Sequence, residues 1–138
     1  MQKRKVQLID NQQGFTLIEI IAVLVILGIL AAVAVPKYMD LQNQARIKAA
    51  DAAIAEVKAR LSNGYGQFLL KNNGTAPADI AAICGEINDA TVLPVNAVGN
   101  VPVGADFAVT LAADGTVTVA SVQGVALVPA KTGTWALP

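Results

Sequence analysis

The order of apolar and polar positions divides the N-terminal part of the chain into two contrasting segments. Residues 1–14 are polar and end in Gly14, whereas residues 15–36 form an apolar run in which Thr16 and Glu19 are the polar exceptions. The first segment contains three adjacent basic residues: Lys3, Arg4 and Lys5. At about 1.5 Å per residue, a helix over the apolar run would match the ~30 Å hydrocarbon core of a bilayer. The basic cluster ahead of the run predicts an N-terminus that stays in the cytoplasm.

The apolar run is followed by a helical pattern of a different character. Pro36 lacks an N–H and its ring crowds the carbonyl of Ala32, so it predicts a kink or a local loss of helix. Beyond it, apolar positions recur at alternating three- and four-residue spacing and share one stripe: Ile47, Ala50, Ile54, Val57 and Leu61. The segment SNGYG, residues 62–66, is a typical stop signal. We therefore expect one long, interrupted helix over residues 15–62.

Shorter elements are predicted in the C-terminal half. Residues 78–84 favour a short helix. Apolar positions alternate on both sides of Asp114 and Gly115, which predicts a hairpin within residues 105–122. Residues 125–130 predict a third strand that ends at Pro129.

The predicted fold is α+β, with a long N-terminal helix packed on a small antiparallel sheet. The helix is apolar in its first half and amphipathic in its second, and the apolar face of the sheet needs a cover that the stripe can provide. The predicted organisation is a polar segment over residues 1–14, the helix over residues 15–62 and a globular head over residues 63–138.

Composition excludes several functions for this chain of 138 residues. The formal net charge is zero, which argues against nucleic acid as a partner because phosphate binding needs clustered Lys and Arg. The sequence has no His, which removes His-dependent triads and zinc sites. No pair of carboxylates stands out as an acid–base couple, so neither an enzyme nor a cofactor or metal site is predicted. The single cysteine, Cys84, cannot form a disulfide within the chain and is interpreted as a buried thiol.

Charge is unevenly distributed along the chain. Residues 37–71 contain six basic and three acidic residues, whereas residues 72–138 contain five acidic residues and one basic residue, Lys131. Two solvated faces of opposite charge are one explanation. The other is a basic helix that meets a neighbour's acidic head in an assembly.

Two interpretations of the N-terminus leave Glu19 without a role. A secretory signal peptide would explain the basic start and the Ala-Val-Ala sequence at residues 32–34, but the apolar run is long for one and contains Glu19. A single-span membrane anchor fits the length and orientation of the run. A charge at the bilayer centre costs about 2.5–3.5 kcal/mol. Glu19 lies off-centre, where protonation or snorkelling would lower this cost, so the anchor stays an alternative.

Cleavage between Gly14 and Phe15 is a third interpretation, and it gives Glu19 a partner. The new α-amino group at Phe15 would be positively charged, and Glu19 would lie near the start of the helix, where the macrodipole favours a carboxylate. The amine of the same or a neighbouring subunit could then pair with Glu19. Removing one partner of such a buried pair typically costs about 3–5 kcal/mol, so the pair could set the register of a helical bundle.

The segment GFTLIEIIAVLVILGILAAVAVPKY, residues 14–38, resembles the N-terminus of type IV prepilins and of the related pseudopilins of type II secretion. The positions that carry the resemblance are Gly14, Phe15, Thr16, Glu19, Gly28 and Pro36. A short basic leader joined to the sequence G-F-T-L-I-E is highly specific for this family. The resemblance covers the N-terminal part of the chain only.

The resemblance implies that a membrane-embedded aspartic prepilin peptidase cuts after Gly14, removes the leader and N-methylates Phe15. It also implies that the apolar helices leave the inner membrane and become the core of a helical filament of identical subunits. The filament would grow on an inner-membrane assembly platform, with energy from a separate cytoplasmic ATPase. Three residues would serve assembly: Glu19 by pairing with the amine of an adjacent subunit, Gly28 by allowing close helix approach, and Pro36 by marking a partial loss of helix.

The predicted function is a structural subunit of a type IV pilus that serves adhesion or motility. The protein would be single-pass in the inner membrane, with a cytoplasmic N-terminus, before assembly and would lie on the cell surface afterwards. Residues 35–46 resemble pilins of the mannose-sensitive haemagglutinin type, which favours a pilus over the alternatives, a major type II secretion pseudopilin or a single-span anchored domain. The segment Glu86-Ile87-Asn88-Asp89 lacks convincing calcium-loop spacing, and the glycosylation sequon at Asn73 is more simply a turn.

Overall fold

The computed structural model describes residues 14–87, 93 and 99–138, so the predicted leader lies almost wholly outside it. The described elements, in chain order, are α1 (Leu17–Lys71), α2 (Ile80–Ile87), β1 (Gly99–Asn100), β2 (Phe107–Leu111), β3 (Thr116–Val122) and β4 (Val125–Thr134). The predicted α+β class, with a long N-terminal helix and a small antiparallel sheet, is confirmed. The chain forms two compact units: the first ends at Asp40 and the second comprises Leu41–Pro138.

Helix α1 departs from its prediction at two places. It is continuous through Pro36, so the expected local loss of helix was wrong, whereas the alternative, a kink, stays a prediction. A proline removes one backbone bond, and the turns on either side remain intact. It also continues beyond residue 62, where the stop was expected, to Lys71. Gly64 serves packing instead of termination, because a Cβ there would lie 2.7 Å from Cγ2 of Ile83 and 2.6 Å from Cδ1 of Ile87.

The true end of α1 is a left-handed cap. Asn73 has a φ of 51°, and the backbone N–H of Gly74 donates to the carbonyl of Leu69 at 2.8 Å. This six-to-one bond is typical of the Schellman motif, which satisfies carbonyls left open at a helix end. The predicted short helix exists as α2, two to three residues later than expected.

The sheet is an antiparallel meander in the order β1-β2-β3-β4. The predicted hairpin is present, and its turn is held by the carboxylate of Asp114, which accepts the N–H of Thr116 at 2.9 Å. Gly115 has a φ of +84°, and a Cβ on it would lie 2.0 Å from the carbonyl oxygen of Trp135. Strand β1 contains two residues, too few for an alternation pattern, and was not predicted.

Strand β4 continues past Pro129, so the expectation that this proline ends the strand was wrong. The register explains how the proline is accommodated. Val119 is opposite Lys131 and Ser121 is opposite Ala126, so the residues around Pro129 have no regular partner on β3. A proline is tolerated in such a bulge because it need not donate a ladder hydrogen bond.

The core lies between the second half of α1, helix α2 and the sheet. Four residues of the predicted stripe are buried, and Cys84 is buried as expected. Ile47, the first residue of the stripe, is instead 39% exposed. Trp135, after β4, donates its indole Nε1–H to Oγ of Ser62 at 2.9 Å. Lys131 and Asp51 form an ion pair at 3.1 Å, which joins β4 to α1.

Candidate functional site

The candidate site begins where helix α1 starts. Thr16 precedes the first helical residue, and its carbonyl accepts the N–H of Glu19 at 3.1 Å. The carboxylate Oε2 of Glu19 accepts both the backbone N–H and the Oγ1–H of Thr16, each at 2.8 Å. In return, the N–H of Glu19 approaches Oγ1 of Thr16 at 3.4 Å. This reciprocal arrangement is a capping box, with Thr16 as the N-cap and Glu19 at the third helical position.

The capping box is a role of Thr16 that the sequence analysis missed, although its signal is present. The residues Thr16-Leu-Ile-Glu19 match the S/T-x-x-E pattern that precedes an apolar run. The box supplies acceptors for N–H groups that a helix start leaves without intrahelical partners. It also fixes the carboxylate at the helix N-terminus, where the macrodipole is favourable.

The apolar half of α1 is exposed throughout. Phe15 is 82% exposed, and by length and composition the helix could cross a membrane; none of its most apolar stretch is buried. Exposed apolar patches of this extent mark surfaces that contact lipid or other proteins. This segment is therefore suited to lie in a membrane or to pack against other apolar helices.

The remaining predicted site residues lie in the same unit. Gly14 is exposed and directly precedes Phe15. Gly28 is exposed, and a Cβ built on it would meet no other atom within 4 Å, so its surface is open to a partner helix. Pro36 is exposed inside α1. The predicted cleavage, methylation and assembly roles of these residues stay predictions.

The weaker candidates lie in the second unit. Asn73 is exposed in the cap that ends α1, consistent with a turn. In the segment 86–89, which contains the acidic residues Glu86 and Asp89, Glu86 forms an ion pair with Lys71, and residues 88 and 89 lie outside the described part. Residues 14–87, 93 and 99–138 contain no group of three His, Cys, Asp or Glu side chains that could hold a metal ion.

Comparison with known proteins identifies the N-terminal segment. Residues 9–35 match the family described as the prokaryotic N-terminal methylation motif. The fimbrial protein EcpC of Eikenella corrodens is 34% identical over 118 residues, which cover 84% of this chain and 72% of that protein. The chain therefore belongs to the family of type IV pilins and type II secretion pseudopilins.

Other relatives represent both branches of the family. A fimbrial protein of Moraxella nonliquefaciens is 36% identical over 63% of this chain and 58% of its own length. The type II secretion system core protein G of Pseudomonas aeruginosa is 51% identical over 37% of this chain and 36% of its own length. The chain thus spans less than two thirds of these two relatives. No solved structure matches the chain significantly.

Proposed function

We propose that this protein is a structural subunit of a type IV pilus. It is inserted in the inner membrane with its N-terminus in the cytoplasm, cut after Gly14 by a prepilin peptidase and N-methylated at Phe15. The mature chain is then polymerised with identical subunits, on an inner-membrane platform, into a surface fibre for adhesion or motility. It acts as a building block and not as an enzyme.

The observation that carries the proposal is the position of Glu19, four residues after Phe15 and in the first turn of α1. Its Oε2 atom lies 2.8 Å from the backbone nitrogen of Thr16. After cleavage, the α-amine would be on Phe15, the residue that precedes this nitrogen. The capping box therefore holds a carboxylate near the place where a new positive charge would appear.

The pairing of the Glu19 carboxylate with the α-amine of Phe15 matters for assembly because the surroundings of both groups are apolar. An ionised carboxylate is costly in the membrane or in a bundle of apolar helices unless it is paired and hydrogen-bonded. Thr16 supplies hydrogen bonds in the single subunit, and the amine of Phe15 in an adjacent subunit supplies the opposite charge. In the proposed filament, Gly28 allows close helix approach and Pro36 marks where the helix loosens on assembly.

A major pseudopilin of a type II secretion system is the second candidate function. The observation that favours it is the 51% identity to core protein G of Pseudomonas aeruginosa over 37% of this chain. A single-span anchored domain is the third, and it would leave the carboxylate at residue 19 without a purpose.

Deletion of the coding gene in its host distinguishes these functions. Loss of long surface fibres, with protein secretion unchanged, is the result expected for a pilus subunit. Loss of secretion with fibres intact would instead support the pseudopilin. Fibres and secretion that are both unchanged would count against assembly in either system.

A further inference from the structure

A groove in the second unit is lined by one face of α1 and by the edge strand β4. Its lining residues are Asn43, Arg46 and Ile47 of α1 and residues 125–131 of β4, and its volume is about 440 Å³. Among the described strands, β4 pairs with β3 alone, so no described strand covers its other edge. The β4 wall is apolar and exposed, with Val128 94% and Val125 42% exposed. Such an apolar concave surface, beside that edge, is suited to a protein partner.

Arg46 gives this groove a specific chemical requirement. Its Nε atom is buried and, among the described residues, is the one buried side-chain polar atom without a hydrogen-bond partner. Its Nη1 atom donates to the amide oxygen of Asn43 at 3.3 Å. A guanidinium is always charged and has five N–H donors, and a carboxylate is the acceptor that matches it best in charge and geometry.

The described carboxylates leave few candidates for that partner. Three form ion pairs within the chain: Asp51, Glu56 and Glu86. Three accept hydrogen bonds from the backbone near their own positions: Glu19, Asp79 and Asp114. Asp106 lies beside Arg46 in a smaller neighbouring cavity, without an ion pair between them. Asp40 remains, exposed and without an ion pair in the described part of the chain.

Asp40 lies on a helix face that matches the groove in character. Val33, Pro36 and Asp40 follow each other at three- and four-residue spacing, so they share one face of α1. All three are exposed, Val33 by 62%. Besides its apolar residues, the face carries Asp40 and, at its edge, Lys37. Besides its apolar residues, the groove carries Arg46 and Lys131, and Lys131 is already paired with Asp51. A helix face seated in such a groove is a recurrent mode of protein recognition.

The two residues cannot pair within one chain through the helix that carries both. They are six residues apart, whereas side chains on a helix meet at spacings of three or four. We propose that the groove around Arg46 and β4 receives the face Val33, Pro36 and Asp40 of a second copy of this chain, with an Arg46–Asp40 ion pair between copies. The contact joins different surfaces of the two copies, so it is heterologous and can repeat from subunit to subunit along an open helical fibre. The inference rests on the proposed function and names one interface within it.

A charge exchange in the full chain, in its host with the assembly machinery, tests this contact. Arg46→Asp and Asp40→Arg should each lower the yield of sheared filaments roughly tenfold or more, and the double variant should recover most of the yield. Lys48→Asp is the matched control, since Lys48 is an exposed cation two residues from Arg46. It should leave the yield near that of the parent chain. Recovery in the double variant is the result that a merely structural role of either residue would not produce.

Cross-linking in assembled filaments provides a second measurement that needs no charge reversal. A chain with Asp40→Cys and Arg46→Cys, treated with a short bismaleimide, should give a ladder of dimers, trimers and longer species. Each single cysteine variant should give none, although all of them retain buried Cys84. Filaments that form normally with no ladder and no charge rescue would overturn the proposed interface and leave the pilus function standing. A parent chain that forms no filaments would overturn both.

Discussion

Glu19 and Thr16 form a closed pair at the start of helix α1: the carboxylate accepts the threonine N–H and O–H, each at 2.8 Å. This pair explains how a charged carboxylate can lie at the start of a helix that is apolar enough to span a membrane. The hydrogen bonds allow the charge to remain at the helix N-terminus before any subunit partner is present. The same carboxylate is then available to an amine at Phe15. Glu19 can therefore be hydrogen-bonded by Thr16 in the membrane-inserted subunit and paired with an amine in the filament.

Replacement of Glu19 by Ala should leave membrane insertion and leader removal normal and should lower filament yield roughly tenfold or more. The physical reason is that the amine of the neighbouring subunit would be left unpaired in apolar surroundings. The measurement is the ratio of sheared filaments to membrane-bound mature subunit. Thr16→Val is the control, since it removes one hydroxyl but keeps the backbone N–H and the carboxylate. Thr16→Val should therefore give more filaments than Glu19→Ala. A filament yield from Glu19→Ala equal to that of the parent chain would refute the pairing.

Ser62→Ala should weaken the anchoring of Trp135 and destabilise the head by about 1 kcal/mol. The hydroxyl accepts the indole N–H at 2.9 Å, and the ring also contacts Tyr65 edge-on with centroids 6.4 Å apart. Trp135 is the single tryptophan, so its fluorescence reports unfolding in denaturant directly. Asn63→Ala, at the exposed neighbouring position, should change the midpoint much less. Equal midpoints for the two variants would contradict a stabilising hydrogen bond to Trp135.

The elements with strong periodicity were predictable, and those set by distant contacts were not. The hairpin at Asp114 follows from alternation and a turn sequence, both local. Ser62 and Gly64 were interpreted as a helix stop because their partners are remote in sequence. Ser62 contacts Trp135, and Gly64 makes room for α2. Tertiary packing overrode the local signal in both cases.

The candidate site shows the same division. The N-terminal motif was evident in the sequence, and its capping box could have been found from the spacing of Thr16 and Glu19. Pro129 could not have been placed, because its accommodation depends on the register between β3 and β4. Likewise, the exposure of Ile47 depends on where the β4 groove lies, and helical periodicity carries no information about that.

Gly115→Ala should destabilise the head by more than about 3 kcal/mol, because the new Cβ would collide with the carbonyl of Trp135, 2.0 Å away. Gly124→Ala is the control, because it introduces the backbone strain of a positive φ without a steric collision. Gly124 also has a positive φ, +73°, but a Cβ there would meet no atom within 4 Å. Its cost should be about 1–2 kcal/mol, the usual penalty for a left-handed residue. The measurement is denaturant unfolding of both variants in detergent, and similar losses would show that the close approach is not as described.

Asp114 should make the stability of the head dependent on acid pH. The N–H of Thr116, and then its side chain, bonds to the carboxylate and holds the pKa of Asp114 below its usual range. Because the pKa is depressed, the ionised carboxylate stabilises the folded head fully at pH values above the unfolded-state pKa of about 3.9. This stabilisation is lost as the pH falls through the folded-state pKa. Asp114→Asn keeps the turn but not the charge. Its melting temperature should be lower than that of the parent chain at neutral pH and should converge with it in acid; a constant difference would argue against the carboxylate.

The intact mass and N-terminal sequence of the protein purified from filaments or membranes test the proposed function most directly. We predict a chain that begins at N-methylated Phe15 and lacks the preceding 14 residues. A chain that begins at Val35 would identify a cleaved signal peptide. An intact Met1, in cells that contain an active prepilin peptidase, would contradict processing and with it the role proposed for Glu19.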